Sequence, residues 1–261
     1  HKHPYAQSVL GSESTIKGMT KKYLSELHQS NIDKKEILLT YCGDLEIEDV
    51  QEYLEPLISQ LNSRNEKKVK PKNLATLLGK KTYTSFDREQ THMFVGIPIG
   101  ELSSSDNLYL KMLTAHLSGQ SSELFVEVRD RQGLCYTAQP IHFMALEAGF
   151  WGIYIASGHD KVEAAQKALF EIIDNIKKKG LSKQEFTRIK KMIEGQSLIN
   201  VQTNDDFASV YSVPILQGQG LDYYHKSNQE VRNLKHQDFQ KNIKEILSRD
   251  WSTVIVGRSE Y

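Results

Sequence analysis

Cysteine is scarce in this sequence, and so is any excess of charge. The two cysteines, Cys42 and Cys135, form neither a Cys-x-x-Cys nor a zinc-knuckle spacing, which removes a cysteine-built metal site and a dithiol redox motif. They read as buried small hydrophobes rather than as a disulfide, and they leave the redox compartment open. Lys plus Arg equal Asp plus Glu at 33 each, so there is no bulk positive field for nucleic acid or an anionic membrane, and no acidic tail. Neither nucleic acid nor membrane is an expected partner. No run approaches the roughly 18 apolar residues of a transmembrane helix. The opening His1-Lys2-His3-Pro4-Tyr5 lacks both a Met and the apolar centre of a signal peptide, so the chain is expected to be an excised or processed piece.

What is present suits a globular protein of one or two domains: 261 residues, 39% hydrophobic and 25% charged, enough to bury a sizeable core. In a first unit, Ile16, Met19, Tyr23, Leu24 and Leu27 recur at helical spacing within Thr15 to Gln29. Ile37 to Cys42 is a β-prone strand candidate closed by Gly43-Asp44. Val50, Tyr53, Leu54, Leu57, Ile58 and Leu61 then mark a second amphipathic helix. Asn62 to Asn73 is charged and nearly free of apolar residues, and with no aromatics interleaved among its lysines it reads as a linker rather than a basic binding patch.

The second unit offers strands at Thr82 to Phe86 and Thr91 to Ile99, then a helix from Asp106 to about Leu117 capped by Ser105 or Asp106. A turn at Gly119 to Ser122 starts another helix, stopped at Gly133. Strands follow at Leu134 to Met144 and Gly149 to Ser157, the latter apolar enough that both of its faces are expected to be covered. Long helices run over Asp160 to Lys178 and Ser182 to about Asn200, with Gly180 as the stop between them. Shorter helices lead to Leu247, and Trp251 to Val256 closes the chain as a strand.

The helix and strand ending at Gly257 repeat the order of the helix and strand ending at Gly43, 214 positions earlier. A repeat of that length predicts residues 1–65 as the back half of one unit, 66–75 as linker and 76–261 as a complete second unit. The fold class expected is α+β: a mixed or antiparallel sheet with helices packed on one face, in a duplicated domain. The strict β-α-β-α alternation of a doubly wound nucleotide fold is absent, as is a Gly-rich phosphate loop.

Chemistry is thinly represented. His1, His3, His28, His92, His116, His142, His159, His225 and His236 are scattered, with no pair at His-x-x-x-His or His-x-x-Glu-His spacing in either direction, so no helical metal site is encoded. No Ser or Cys nucleophile has a basic neighbour in sequence. The segment that stands out runs from Ser121 to Tyr136. Leu124, Phe125 and Val128 form a buried stripe, Arg129 lies near the helix end, Gly133 supplies a left-handed stop, and Tyr136 starts the next strand. Two readings stay open. Arg129 and Tyr136 can converge to hold a substrate carbonyl or a developing oxyanion; alternatively Arg129 complements the helix dipole and Tyr136 only packs.

Gly119-Gln120-Ser121-Ser122, Leu124-Phe125, Arg129 and Gly133-Leu134-Cys135-Tyr136 together resemble the Arg-to-Tyr motif in the C-terminal domains of pitrilysin-type (insulinase-family) zinc metallopeptidases. His3-Pro4-Tyr5, Gly11 and Cys42-Gly43-Asp44 resemble the back half of the preceding domain of that family, and Gln90 with His92 suits the first strand pair of the next. The resemblance implies two or four homologous α+β domains around a chamber, with an inverted zinc motif and its glutamate base on an N-terminal domain. It implies Arg129 and Tyr136 as the substrate-binding pair, no catalytic residue and no metal ligand in this chain, and zinc in the full-length protein or a partner. Glu123 departs from the basic residue of many relatives. The implied function is the non-catalytic, substrate-binding part of a zinc endopeptidase acting on peptides; the alternative is an inactive homologue serving as a structural or substrate-binding subunit. Expected partners are a peptide, the upstream zinc-binding domain or an active homologous subunit, and a homodimer. Export is the compartment that relatives suggest.

Overall fold

The computed structural model of the chain describes residues 5, 7–34, 37–59 and 79–258. The expected linker at 66–75, and His1 and His3, lie outside the described residues. In the first part, Ser12 caps α1 (Glu13–Lys17) through a reciprocal box with Thr15. The chain restarts after Gly18 as α2 (Lys21–Lys34), so the single helix expected over Thr15 to Gln29 is two. α3 follows (Ile47–Ile58), with Tyr53 and Leu57 well exposed. The strand expected at Ile37 to Cys42 is not formed. A strand needs a neighbour for its N–H and C=O groups, and no described segment pairs with this one. Cys42 is only half-buried, its thiol 3.9 Å from Oδ1 of Asn204, whereas Cys135 is buried as expected and both are free thiols.

Residues 79–258 form a five-stranded sheet from β1 (Lys81–Ser85), β2 (Thr91–Ile99), β3 (Thr137–Met144), β4 (Gly149–Ser157) and β5 (Ser252–Gly257) in the order β1-β5-β2-β4-β3. The β1–β5 pair is parallel and the others antiparallel, so the sheet is mixed. Strand alternation puts Met93, Val95, Ile97 and Ile99 of β2 and Trp151, Ile153 and Ile155 of β4 on one face, all buried. Against that face lie α4 (Asp106–Leu117) and α5 (Val162–Lys179). Their stripes of Leu110, Leu113 and Leu117, and of Ala165, Leu169, Ile172 and Ile176, are buried. α6 (Lys183–Ile199) packs on α4, and α9 (His236–Ile246) bridges α4 and α5. α7 (Asn204–Leu216) and α8 (Tyr223–Asn233) form an outer layer over α6.

The α+β expectation holds, helices on one face included; on the other face of β4, Gly152 and Ala156 are buried, Tyr154 is half-buried and Phe150 is exposed. Among the described residues the opposite face carries no layer. Phe143 stacks on Phe150 at 5.0 Å between ring centroids, and Phe94 meets Phe150 edge-on at 5.3 Å, with Phe143 and Phe150 still exposed. Gly96 and Gly152 pair across β2 and β4, and the Phe94 ring lies over them; a Cβ at Gly152 would come within 2.6 Å of that ring and 2.4 Å of the Val95 carbonyl. Ser105, expected as a cap of α4, makes no capping bond because its own backbone is already helical. No described helix is long and apolar enough to cross a membrane.

Candidate functional site

The segment singled out in the sequence forms a turn and helix at the sheet edge. Ser122 is buried; its hydroxyl donates to the Gly119 carbonyl at 2.8 Å and accepts the Phe125 N–H at 3.2 Å, which starts the helix. The following turns over Leu124–Arg131 are a π-helix rather than an α-helix. Gln132 N–H reaches back to Glu127 and Leu134 N–H to Val128, so the end is wound one residue wider than usual. Such a π-turn is uncommon and often sits at functional positions. Leu124 and Val128 are fully buried and anchor it.

Gly133 adopts φ +57° and ends the helix, as its position predicts. Lys161 Nζ donates to the Gly133 carbonyl at 2.9 Å and pins the turn. Cys135 then goes inward, where burial raises its thiol and the Arg129 charge works against that rise. The peptide N–H of Tyr136 bonds the Ala156 carbonyl at 2.9 Å, joining the chain to β4 one residue before β3 begins.

Arg129 and Tyr136 therefore flank one glycine turn, and both side chains are exposed, Tyr136 at 64%. Among the described residues the Arg129 guanidinium enters no ion pair or hydrogen bond, and the Tyr136 hydroxyl makes no hydrogen bond. No bond joins the two. Arg129 rests its guanidinium on the Phe125 ring, 4.8 Å from the centroid, while Arg131 is taken up by Glu127 at 2.6 Å. Phe125 is thus a half-buried platform for Arg129 as much as a core residue. Its i,i+4 spacing to Arg129 carries that signal in the sequence. Glu123 sits at the start of this helix, its carboxyl raised by burial and by Glu127 and Glu185.

The arrangement presents a guanidinium and a phenol, both donors, to solvent on a turn fixed from beneath. It holds no nucleophile and no acid–base pair. Among the described residues no group of three or more His, Cys, Asp or Glu side chains stands together to hold a metal ion.

A family model described as "Peptidase M16 inactive domain" matches residues 18–193. The chain belongs to that family. Within it, an uncharacterized zinc protease of Rickettsia bellii is 22% identical over 260 residues, spanning 97% of this chain and 61% of that protein. A Rickettsia felis zinc protease, 24% identical over 198 residues, is matched over 47% of its length. The chain thus spans about half to three-fifths of the length of these curated relatives. Among solved structures, a protease from Helicobacter pylori superimposes with a TM-score of 0.81 at 19% identity, covering 97% of this chain and 63% of that one. A peptidase M16 inactive domain from Pseudomonas fluorescens superimposes with a TM-score of 0.80 at 18% identity, covering 99% and 62%. These likenesses fix the fold as that of the inactive domain. Among the described residues no ligand set fits the zinc centre that the relatives' names imply.

Proposed function

We propose that this inactive-domain chain is the non-catalytic, substrate-facing part of a zinc peptidase, and that Arg129 and Tyr136 contact the peptide cut on another domain. The observation that carries this reading is the pair of exposed side chains with no hydrogen-bond partner, set on either side of the Gly133 turn. An arginine that only neutralised a helix end would be expected to bond the last carbonyls, and a tyrosine that only packed would be buried. Neither is so here. A guanidinium can grip a carbonyl or carboxylate through two N–H groups, and a phenol adds a third donor. Donors placed at a developing oxyanion lower the barrier to peptide hydrolysis. The two side chains of this chain bind and polarise; zinc, where present, supplies the activated water from the zinc-bearing domain.

In this reading residues 76–261 are one complete unit, and residues 1–65 are the back half of a preceding unit whose remainder bears the zinc ligands. The exposed apolar side chains of α2 and α3, Tyr23, Leu24, Tyr53 and Leu57 among them, fit a layer awaiting that remainder. The partners follow: a peptide, and the upstream zinc-binding domain or an active homologous subunit.

The test is steady-state kinetics of the complete peptidase with Arg129→Ala and Tyr136→Phe. Loss of an oxyanion donor is expected to lower kcat/KM by about 100-fold or more, with thermal stability unchanged because both side chains are exposed. Wild-type kinetics in both variants would remove the pair from the site. A complete protein that stays inactive with its zinc motif intact would favour the inactive partner subunit.

A further inference from the structure

A concavity separate from the Gly133 turn lies where α4 meets the end of β3 and the outer helices. It is a cleft of about 750 Å³ between α4, the end of β3, and the helices α6, α7 and α8. That is the size of an ordinary small-ligand site. One wall is apolar, with Val201, Val210, Val213 and Pro214. The other carries Lys111 and His142.

Lys111 is half-buried, and its ammonium has three N–H donors. Its single hydrogen bond is a long one, 3.3 Å to Oγ of Ser227. Among the described residues no carboxylate lies within ion-pair distance. Glu230, which lines the same cleft, acts on it from beyond that distance, and burial holds the lysine below its ordinary value. A half-buried ammonium with unfilled donors can take a further anion that enters the cleft.

The neighbouring His142 narrows the choice of anion. Asn107 donates its Nδ2 to the carbonyls of Glu101 and Leu102, at 3.3 and 2.8 Å, which orients its Oδ1 toward His142. Nε2 of His142 therefore carries the proton and donates to that Oδ1 at 3.1 Å. Burial and the Lys111 charge push the imidazole down to about 4, so it is neutral and its Nδ1 is an acceptor. The cleft thus offers a cation with unfilled donors, the Glu230 carboxylate, a hydrogen-bond acceptor and an apolar wall.

We propose that this cleft binds an N-acylated amino-acid end. Lys111 takes the carboxylate, Nδ1 of His142 accepts the adjacent N–H, and the wall of α7 takes an apolar side chain. A bare fatty acid would leave the acceptor unmatched. The free C-terminus of a peptide and a free N-acyl amino acid share this chemistry. The inference rests on the cleft alone and not on the role proposed for Arg129 and Tyr136.

The test is calorimetric titration of the chain with acetyl-Ala-Ala-Leu as the free acid, as its C-terminal amide, and with N-acetyl-leucine. The free acid is expected to bind at least about tenfold more tightly than the amide, with a shift of the His142 ring signals in nitrogen-15 spectra. Lys111→Met should reduce the acid to the affinity of the amide while leaving the thermal midpoint unchanged or higher, since it removes a half-buried cation; Lys111→Arg should retain the preference. N-acetyl-leucine binding as tightly as the peptide would identify the free acid as a sufficient ligand, and weaker binding would identify the peptide end. Equal binding of acid and amide to the wild-type chain, no binding of either, or full binding by Lys111→Met would each overturn the proposal.

Discussion

His116 and His142 are both set into the body of the domain, and each is held neutral by its surroundings. His116 is almost wholly buried, its Nδ1 has no hydrogen-bond partner among the described residues, and burial lowers its affinity for a proton, with Glu185 opposing and Arg188 adding to that. His142 falls from the ordinary 6.5 to about 4. A histidine whose folded value is depressed stabilises the fold above its unfolded value. As pH falls below 6.5 the unfolded chain takes a proton that the folded chain refuses, and stability drops until the folded value is reached. For His142 that window is pH 6.5 to about 4. At about 1.4 kcal/mol per pH unit it amounts to roughly 3 kcal/mol. Urea unfolding across this range should show the loss, and His142→Gln should flatten it; a variant as acid-sensitive as the wild type would show that the titration lies elsewhere. The sequence displays both histidines but not their burial, because no local pattern distinguishes a surface histidine from one set among distant elements. Arg129 and Tyr136 are legible because the glycine between them fixes how the chain turns, whereas Lys111 acquires its character only when helices distant in sequence close around it.

At the scale of elements, the boundaries written in caps and glycines are the most legible. Ser182 opens α6 through a reciprocal box with Glu185: its Oγ accepts the Glu185 N–H at 3.2 Å, and Glu185 Oε2 accepts the Ser182 N–H at 2.8 Å. The Ser182 hydroxyl also donates to Glu185 Oε2 at 2.6 Å, and together with the Ser182 N–H it holds the Glu185 carboxyl below its usual value. Ser182→Ala should cost about 1 kcal/mol in equilibrium unfolding, and no change would mean the box adds nothing to water. Gly133 sits at φ +57° with open space where a Cβ would go. Gly133→Ala thus tests backbone strain alone, expected at roughly 1–2 kcal/mol, and in a complete peptidase it should also lower kcat/KM by displacing Arg129 and Tyr136. The π-turn between Ser122 and Gly133 shows in the sequence only as a helix, since composition does not separate i→i+4 from i→i+5 bonding. The strand expected at Ile37 to Cys42 fails for a different reason: its β-prone residues are real, but strand formation depends on a partner that no described segment provides.

The whole molecule carries more apolar surface than its helices and sheet can bury among themselves. Phe143, Phe150 and Val254 are exposed on the bare side of the sheet, and Leu10, Ile16, Tyr53 and Leu57 are exposed in the first part. Surface of this kind marks an interface or invites association. The chain by itself is expected to self-associate, giving a mass in light scattering that rises with concentration and falls when the proposed zinc-bearing partner is added; a monodisperse monomer at high concentration would contradict this. The layout of one sheet with helices on one face is legible because strand alternation and helical stripes are local signals, and the family resemblance agrees with it. The bare face is not, since a strand apolar on both sides does not say which chain covers it.

The most direct measurement is zinc content and peptidase activity of this chain, alone and mixed with the zinc-bearing domain that would precede it. The chain alone is expected to carry neither metal nor activity, and the mixture to cleave peptide in a way that Arg129→Ala strongly reduces. Stoichiometric zinc or peptide hydrolysis by the isolated chain would contradict this.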